Sequence, residues 1–276
     1  MIKRAPPVPI VIVSFNRLWA LELAIASYRQ IDGQVLVVHD TGSTHEPLLD
    51  YLSALETSGV EVWRNRPSIR QPSDLNTVDE TIQAWLSRYP DTSHYVVTDP
   101  DICICDGCED MFDFYRHVLD QRRVSVIGPM LRIDDIPDCY PLRDRVIHGH
   151  TERYWSQANE VVQWNGRSTK LQRAVIDTTF GMYPSELPFR RLNDGLRTHA
   201  PYWARHLDWY LDPQNLLADQ IAYMGTASGV SHWGGEWLRG KLDLNIDPPF
   251  QPPTEEELEN FKKLIRTSDN DHCPSR

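Results

Sequence analysis

His94-Tyr95-Val96-Val97-Thr98 runs straight into Asp99-Pro100-Asp101, and the join between this apolar run and two carboxylates decides the fold. A short stretch rich in Val, Tyr and Thr reads as a strand buried on both faces. Pro100 restricts Asp99 to extended backbone angles. Residues two apart on an extended chain project the same way, so the pair is expected to share one edge. Two carboxylates on one edge form a hard oxygen site suited to Mn²⁺ or Mg²⁺. Asp-Pro-Asp is also an ordinary turn sequence, so its meaning rests on what surrounds it.

Upstream, strand and helix patterns alternate with short connections. Val8 to Val13 is a continuous apolar run, and Leu18, Leu21, Ile25 and Tyr28 follow at helical spacing. Gln34 to His39 reads as a second buried strand, ending in the turn Asp40-Thr41-Gly42-Ser43. Ser43 and Glu46 have capping-box spacing ahead of Leu48, Leu52 and Leu55. Val60 to Trp63 gives a third strand, and Val78, Ile82, Trp85 and Tyr89 a helix before the His94 strand. Downstream come a helical stripe (Met111, Phe112, Tyr115, Val118, Leu119) and a fifth strand, Val124 to Gly128. This alternation predicts an α/β fold with a mainly parallel sheet flanked by helices.

In open α/β sheets, ligands bind beyond the carboxyl ends of the strands. Those ends carry Ser14, Asn16 and Arg17; Asp40; Asn65; and Asp99 with Asp101. Several strands therefore bring nucleotide- or metal-compatible groups to one rim.

The stretches Pro9 to Arg17, Val37 to Ser43 and Tyr95 to Asp101 resemble the family 2-like glycosyltransferases of the GT-A (Rossmann-like) fold, of bacterial or viral type. The resemblance covers roughly the first half of the chain. It implies a nucleotide-sugar donor, UDP- or GDP-linked. Residues matching Ser14, Asn16 and Asp40 would hold base and ribose, and those matching Asp99 and Asp101 would organise metal and diphosphate. One departure is that the second strand ends His-Asp-Thr-Gly-Ser, where the family more often has Asp-Asp/Asn-x-Ser.

Beyond Arg132 the alternation fades, and only Ala174 to Tyr183 reads clearly as strand. The chain is thus expected to divide into a nucleotide-sugar half (1–131), an irregular acceptor and catalytic half of the same domain (132–247), and a proline-rich linker with a C-terminal helix and tail (248–276). Arg173 to Tyr183 looks like the acceptor-side strand and loop of similar glycosyltransferases, which makes Asp177 the first candidate base and Asp208 the second. Asp194 and Glu186 are further competitors. His232 is the candidate late histidine completing the metal site, as in many enzymes of this fold. Phe189 to His206 mixes basic and aromatic side chains, and Arg190, Arg191, Trp203, Arg205 and His206 are expected to meet the acceptor.

Composition narrows the function. With 39 acidic against 28 basic residues, the net charge of −11 disfavours non-specific nucleic-acid binding. No apolar run approaches the ~20 residues of a membrane helix. Val8 to Val13 is too short for a signal core and is followed by no cleavage site. Five cysteines, an odd number with three crowded at Cys103, Cys105 and Cys108, suit a reduced, cytoplasmic chain. Neither these nor His148 and His150 have zinc-site spacing.

The expected activity is metal-dependent glycosyl transfer to a hydroxyl of a saccharide or lipid-linked acceptor. One alternative is transfer to 5-hydroxymethylpyrimidine bases of modified DNA, drawing on Arg64, Arg66, Arg70 and the arginine-aromatic segment. Nucleotidyl transfer is another, although the glycine- and basic-rich loop it needs after the first strand is missing from Ser-Phe-Asn-Arg. Donor sugar, acceptor, stereochemical outcome and oligomeric state are not specified by the sequence.

Overall fold

The computed structural model describes residues 6–226, apart from 70, 71, 122, 123 and 192. The tail, the linker and His232 lie outside the described residues.

Four strands form the parallel part of the sheet: β1 (Val8–Ser14), β2 (Gln34–Asp40), β3 (Glu61–Trp63) and β4 (His94–Thr98). They lie in the order β3-β2-β1-β4, each neighbouring pair parallel. Every β1 residue is buried because both faces are covered. Ile10 and Ile12 pack into one core with Leu18, Leu21 and Ile25 of α1 (Leu18–Tyr28) and Leu48, Leu52 and Leu55 of α2 (Glu46–Thr57). The alternate residues Val11 and Val13 join Tyr95, Val97 and the Val78, Ile82 and Trp85 stripe of α3 (Val78–Arg88) in a second core on the other face. The period-two projection of one apolar strand thus feeds two helical layers.

The remaining strands differ from expectation in position and number. A short strand missed by the pattern, β5 (Ile102–Ile104), follows Asp101 directly. After α4 (Met111–Gln121), β6 runs Ile127–Leu131, three residues later than the apolar run suggested. The second half is strand-rich where sequence periodicity was weak. After α5 (Arg143–His150) come β7 (Glu160–Trp164), β8 (Arg167–Ile176), β9 (Gly181–Pro184) and the long β10 (Asn193–His206), then α6 (Ala218–Thr226). The basic-aromatic segment is therefore mostly a strand inside the sheet. Its pairing with β6 shifts register between Thr198 and Trp203, which breaks the alternation a reader would look for.

The sheet has ten strands in the order β3-β2-β1-β4-β9-β6-β10-β8-β7, with β5 paired to β10. β9 lies antiparallel to both β4 and β6, and β10 parallel to β6. β4, β6 and β10 consequently run the same way, so the ends of β1, β2, β4 and β10 meet on one rim. No helix among the described residues is long and apolar enough to cross a membrane.

Close packing where β10 crosses β6 makes a local test of this topology. A Cβ added to Gly195 would fall well inside contact distance of the Val126 carbonyl oxygen and the Val126 side chain. Gly195→Ala is expected to cost roughly 1–3 kcal/mol of stability, read as a lower thermal midpoint. Gly225→Ala, whose Cβ meets nothing within 4 Å, should leave the midpoint unchanged or slightly raised.

Candidate functional site

The rim is organised by the loop after β1. Asn16 takes a positive φ of 47°, a conformation asparagine tolerates better than most residues. Its Oδ1 accepts the Thr44 and His45 N–H groups at 2.8 and 3.0 Å, and its own N–H donates to Ser43 Oγ at 3.0 Å. Asn16 thereby does the work expected of a Ser43–Glu46 capping box: α2 begins at Glu46 without a side-chain cap of its own. With both ends of its amide committed to protein partners, Asn16 shapes the rim rather than offering free groups to a nucleotide.

Asp40 ends β2 and is buried. Its carboxylate receives only long N–H contacts, from Ser43 at 3.3 and 3.4 Å and Asn65 at 3.4 Å. The exposed Asn65 sits at φ 55°, which turns its N–H toward Asp40. Ser14 Oγ, on the neighbouring strand end, is buried without a hydrogen-bond partner.

Asp99 and Asp101 do not share an edge. The chain turns at Pro100-Asp101 to enter β5, so the extended-chain spacing argument does not apply across the pair. Asp99 faces the loop between β8 and β9: its Oδ2 accepts the Thr178 hydroxyl at 2.5 Å, and its N–H donates to Thr178 O at 2.8 Å. Burial, reinforced by the neighbouring Asp101 charge, holds the Asp99 carboxyl well above the usual carboxylate range.

Asp101 faces the end of β10. Its carbonyl accepts the Leu207 N–H at 2.7 Å, which brings His206 and Asp208 alongside. One ligand atom from each of Asp101, His206 and Asp208 falls within 4.8 Å of the others, and all three residues are buried. Arg17 lies against this cluster. Its guanidinium donates to Asp101 Oδ2 at 2.8 Å and to Asp208 Oδ1, and it stands 4.5 Å over the Tyr223 ring. Burial opposes the charge on Asp101, but Arg17 and then His206 outweigh it and pull its pKa below the ordinary aspartate value. Burial likewise opposes the charge on Arg17, and the two carboxylates more than offset that. His206 stacks on Trp209 with ring centroids 5.0 Å apart, and its Nδ1 lies 3.4 Å from Asp101 Oδ2.

Among the described residues, the three that could hold a metal ion together are Asp101, His206 and Asp208; the sequence pattern points to Asp101 as a ligand but places His206 and Asp208 on the acceptor side, and Asp99 lies outside this group. The signal available in the sequence was His206-x-Asp208, with the same spacing as Asp99-x-Asp101, at the end of a strand that could not be recognised as one.

The acceptor-side residues scatter. Asp177 is gripped by Arg191 through two bonds of 2.6 and 2.7 Å, and also accepts the Thr178 N–H at 2.9 Å. Arg205 turns inward to Asp135 at 2.6 Å, with the Tyr210 hydroxyl on the other Asp135 oxygen. Trp203 is half-buried beneath the Arg132 guanidinium at 4.5 Å. Arg190 is exposed and donates to the Phe189 carbonyl at 2.6 Å. Sequence reading also missed Asp219, which is fully buried on α6 and accepts the Trp19 N–H at 2.9 Å while lying 2.6 Å from His45 Nε2. Both contacts tie α6 to the N-terminal ends of α1 and α2.

In comparisons with known proteins, no family model and no curated protein matches the chain. Among solved structures, the mannosyltransferase PcManGT from Pyrobaculum calidifontis, in complex with GDP-Man and Mn²⁺, aligns at TM-score 0.43 and 12% identity. That alignment covers 98% of this chain and 77% of that one. S. aureus TarS, residues 1–349, aligns at TM-score 0.43 and 10% identity over 95% of this chain and 80% of that one.

His39, beside Asp40, supplies a pH test of the rim. Burial and then the Arg66 charge lower its pKa to about 4, and its Nδ1 is 2.8 Å from Thr81 Oγ1. The unfolded chain takes up a proton near pH 6.5 that the folded chain refuses. Stability from this group is present above pH 6.5 and lost as the pH falls toward 4, to a limit on the order of 3 kcal/mol. Urea unfolding at pH 4.5 and 7 should show a larger pH-dependent loss for the wild type than for His39→Gln.

Proposed function

We propose that the chain is a divalent-cation-dependent glycosyltransferase that moves a sugar from a nucleoside-diphosphate sugar to a hydroxyl acceptor. The observation carrying this reading is the gathering of Asp101, His206 and Asp208 within 4.8 Å at the carboxyl rim of an α/β sheet, beside Asp40 and Ser14. Two carboxylates and an imidazole suit Mn²⁺, and Mg²⁺ less closely. Asp101 Oδ1 and His206 Nδ1 are buried without hydrogen-bond partners, as ligand atoms awaiting an ion would be. A bound cation would neutralise the charge that develops on the departing diphosphate.

The chain's own residues supply the remainder. Asp40 keeps acceptor capacity for the hydroxyls or base of the nucleoside, and Ser14 Oγ offers a donor next to it. Asp101, Asp208 and His206 would hold the cation, and His206 is kept in orientation by its stack on Trp209. Transfer joins the acceptor oxygen to the anomeric carbon and breaks the bond to the phosphate oxygen. The nucleoside diphosphate leaves with the electron pair, and the hydroxyl proton passes to a base or to solvent.

A saccharide or lipid-linked acceptor fits this chain better than DNA. Arg64 is paired with Glu56, Arg66 with Glu80, Arg191 with Asp177 and Arg205 with Asp135. Those arginines are already neutralised, and a phosphate backbone would have to compete for them.

Thermal-shift measurements should give a rise of several degrees with UDP or GDP only when Mn²⁺ or Mg²⁺ is present. Asp101→Asn should abolish the metal-dependent part and reduce turnover of a matching nucleotide sugar by about 100-fold or more, with circular dichroism confirming the fold. A protein indifferent to every nucleoside diphosphate in the presence of metal would overturn the reading.

A further inference from the structure

The proposed cation site already holds a positive charge that belongs to the chain. Arg17 takes Asp101 Oδ2 at 2.8 Å and Asp208 Oδ1 with its two terminal nitrogens, the two carboxylates that would ligate an ion. The Asp101 oxygen it occupies is the one nearest His206 Nδ1, at 3.4 Å. Arg17 is 4% exposed and its guanidinium lies over the Tyr223 ring, so it is a built part of the site rather than a surface side chain folded over it. Its Nε is buried without a hydrogen-bond partner, so its attachment rests on the two carboxylates.

A divalent ion held by the same two carboxylates would stand directly beside this guanidinium, which already takes Asp101 Oδ2 and Asp208 Oδ1. Their charges repel in a buried setting where screening is weak, so the ion gains the full strength of both carboxylates only when Arg17 withdraws. We propose that Arg17 is a resident counter-cation that the metal must displace, and that the displaced guanidinium is received by the diphosphate of the donor. This rests on the metal-dependent reading above. Arg17 is well suited to both partners, because a guanidinium fork fits carboxylate and phosphate alike. The ion gains the carboxylates only when Arg17 has somewhere else to bind, so metal and nucleoside diphosphate should bind cooperatively. By linkage the coupling must be the same in both directions.

The experiment is Mn²⁺ binding to the full chain, followed by the loss of the free-ion electron paramagnetic resonance signal, with and without UDP or GDP. For the wild type, Mn²⁺ alone should bind weakly, and the nucleoside diphosphate should tighten it at least 10-fold. Arg17→Gln should bind Mn²⁺ alone at least 10-fold more tightly than the wild type, and the nucleotide should then add less than 3-fold. Thermal midpoints give an independent readout: without metal Arg17→Gln should melt lower than the wild type, and Mn²⁺ should raise its midpoint more. If Arg17→Gln does not fold, Arg17→Lys decides, since an ammonium on a shorter reach cannot bridge both carboxylates and should also yield to Mn²⁺ more readily. A wild type that binds Mn²⁺ while the folded variant binds it no more tightly overturns the role of Arg17 alone. Failure of every form to bind Mn²⁺, with or without nucleotide, overturns the metal reading itself.

Discussion

The pairing of Arg17 with Asp101 and Asp208 ties together the ends of three strands that are far apart in sequence. Arg17 follows β1, Asp101 follows β4 and Asp208 follows β10. All three are buried, and charges out of water persist only when paired. Removing one partner of such a cluster typically costs about 3–5 kcal/mol, because the charge left behind is uncompensated. The Leu207 N–H bond to the Asp101 carbonyl sets the same junction through the backbone. The rim is therefore closed by charge as well as by the backbone pairing of β5 with β10.

The parallel half of the fold was legible because burial on both faces leaves a strong mark. Val8 to Val13 and Tyr95 to Val97 are buried and apolar throughout, and the helices between them each need one apolar stripe. The second half escaped for a physical reason. β8 and β10 mix exposed and buried positions, β7 is exposed or half-buried throughout, and the register shift between Thr198 and Trp203 interrupts the alternation. Arg197 is buried within β10 and donates to the carbonyls of Pro129 and Val175. An arginine used this way looks in sequence like a solvent-facing or ligand-facing charge.

The same ambiguity divided the site. Asp40 and Asp101 were readable from strand ends alone. The partners of Asp101 were not, because His206 and Asp208 reach it only through the fold of β5 back along β10. The argument from spacing treated Asp99-Pro100-Asp101 as extended, while the turn that launches β5 sends the two carboxylates to different neighbours. Asp99 is left with Thr178 in an environment that favours its protonated form, and Asp101 with cations that favour its ionised form.

On the proposed reading of glycosyl transfer, charge accounting also bears on what the acceptor could be. The chain carries −11 overall, yet several of its arginines lie at this rim and along β10. They are spent on internal carboxylates: Arg17 on Asp101 and Asp208, Arg191 on Asp177, Arg205 on Asp135. Such pairs contribute order rather than a basic surface, so an acidic polymer would meet a field of its own sign. The aromatic groups of this region are disposed differently. Trp203 lies under Arg132, and Trp155 packs edge-on to His199 with centroids 5.1 Å apart, leaving both tryptophans half-buried. Half-buried aromatic rings pair an apolar face with a polar edge, which suits the C–H face of a sugar ring better than a phosphodiester chain.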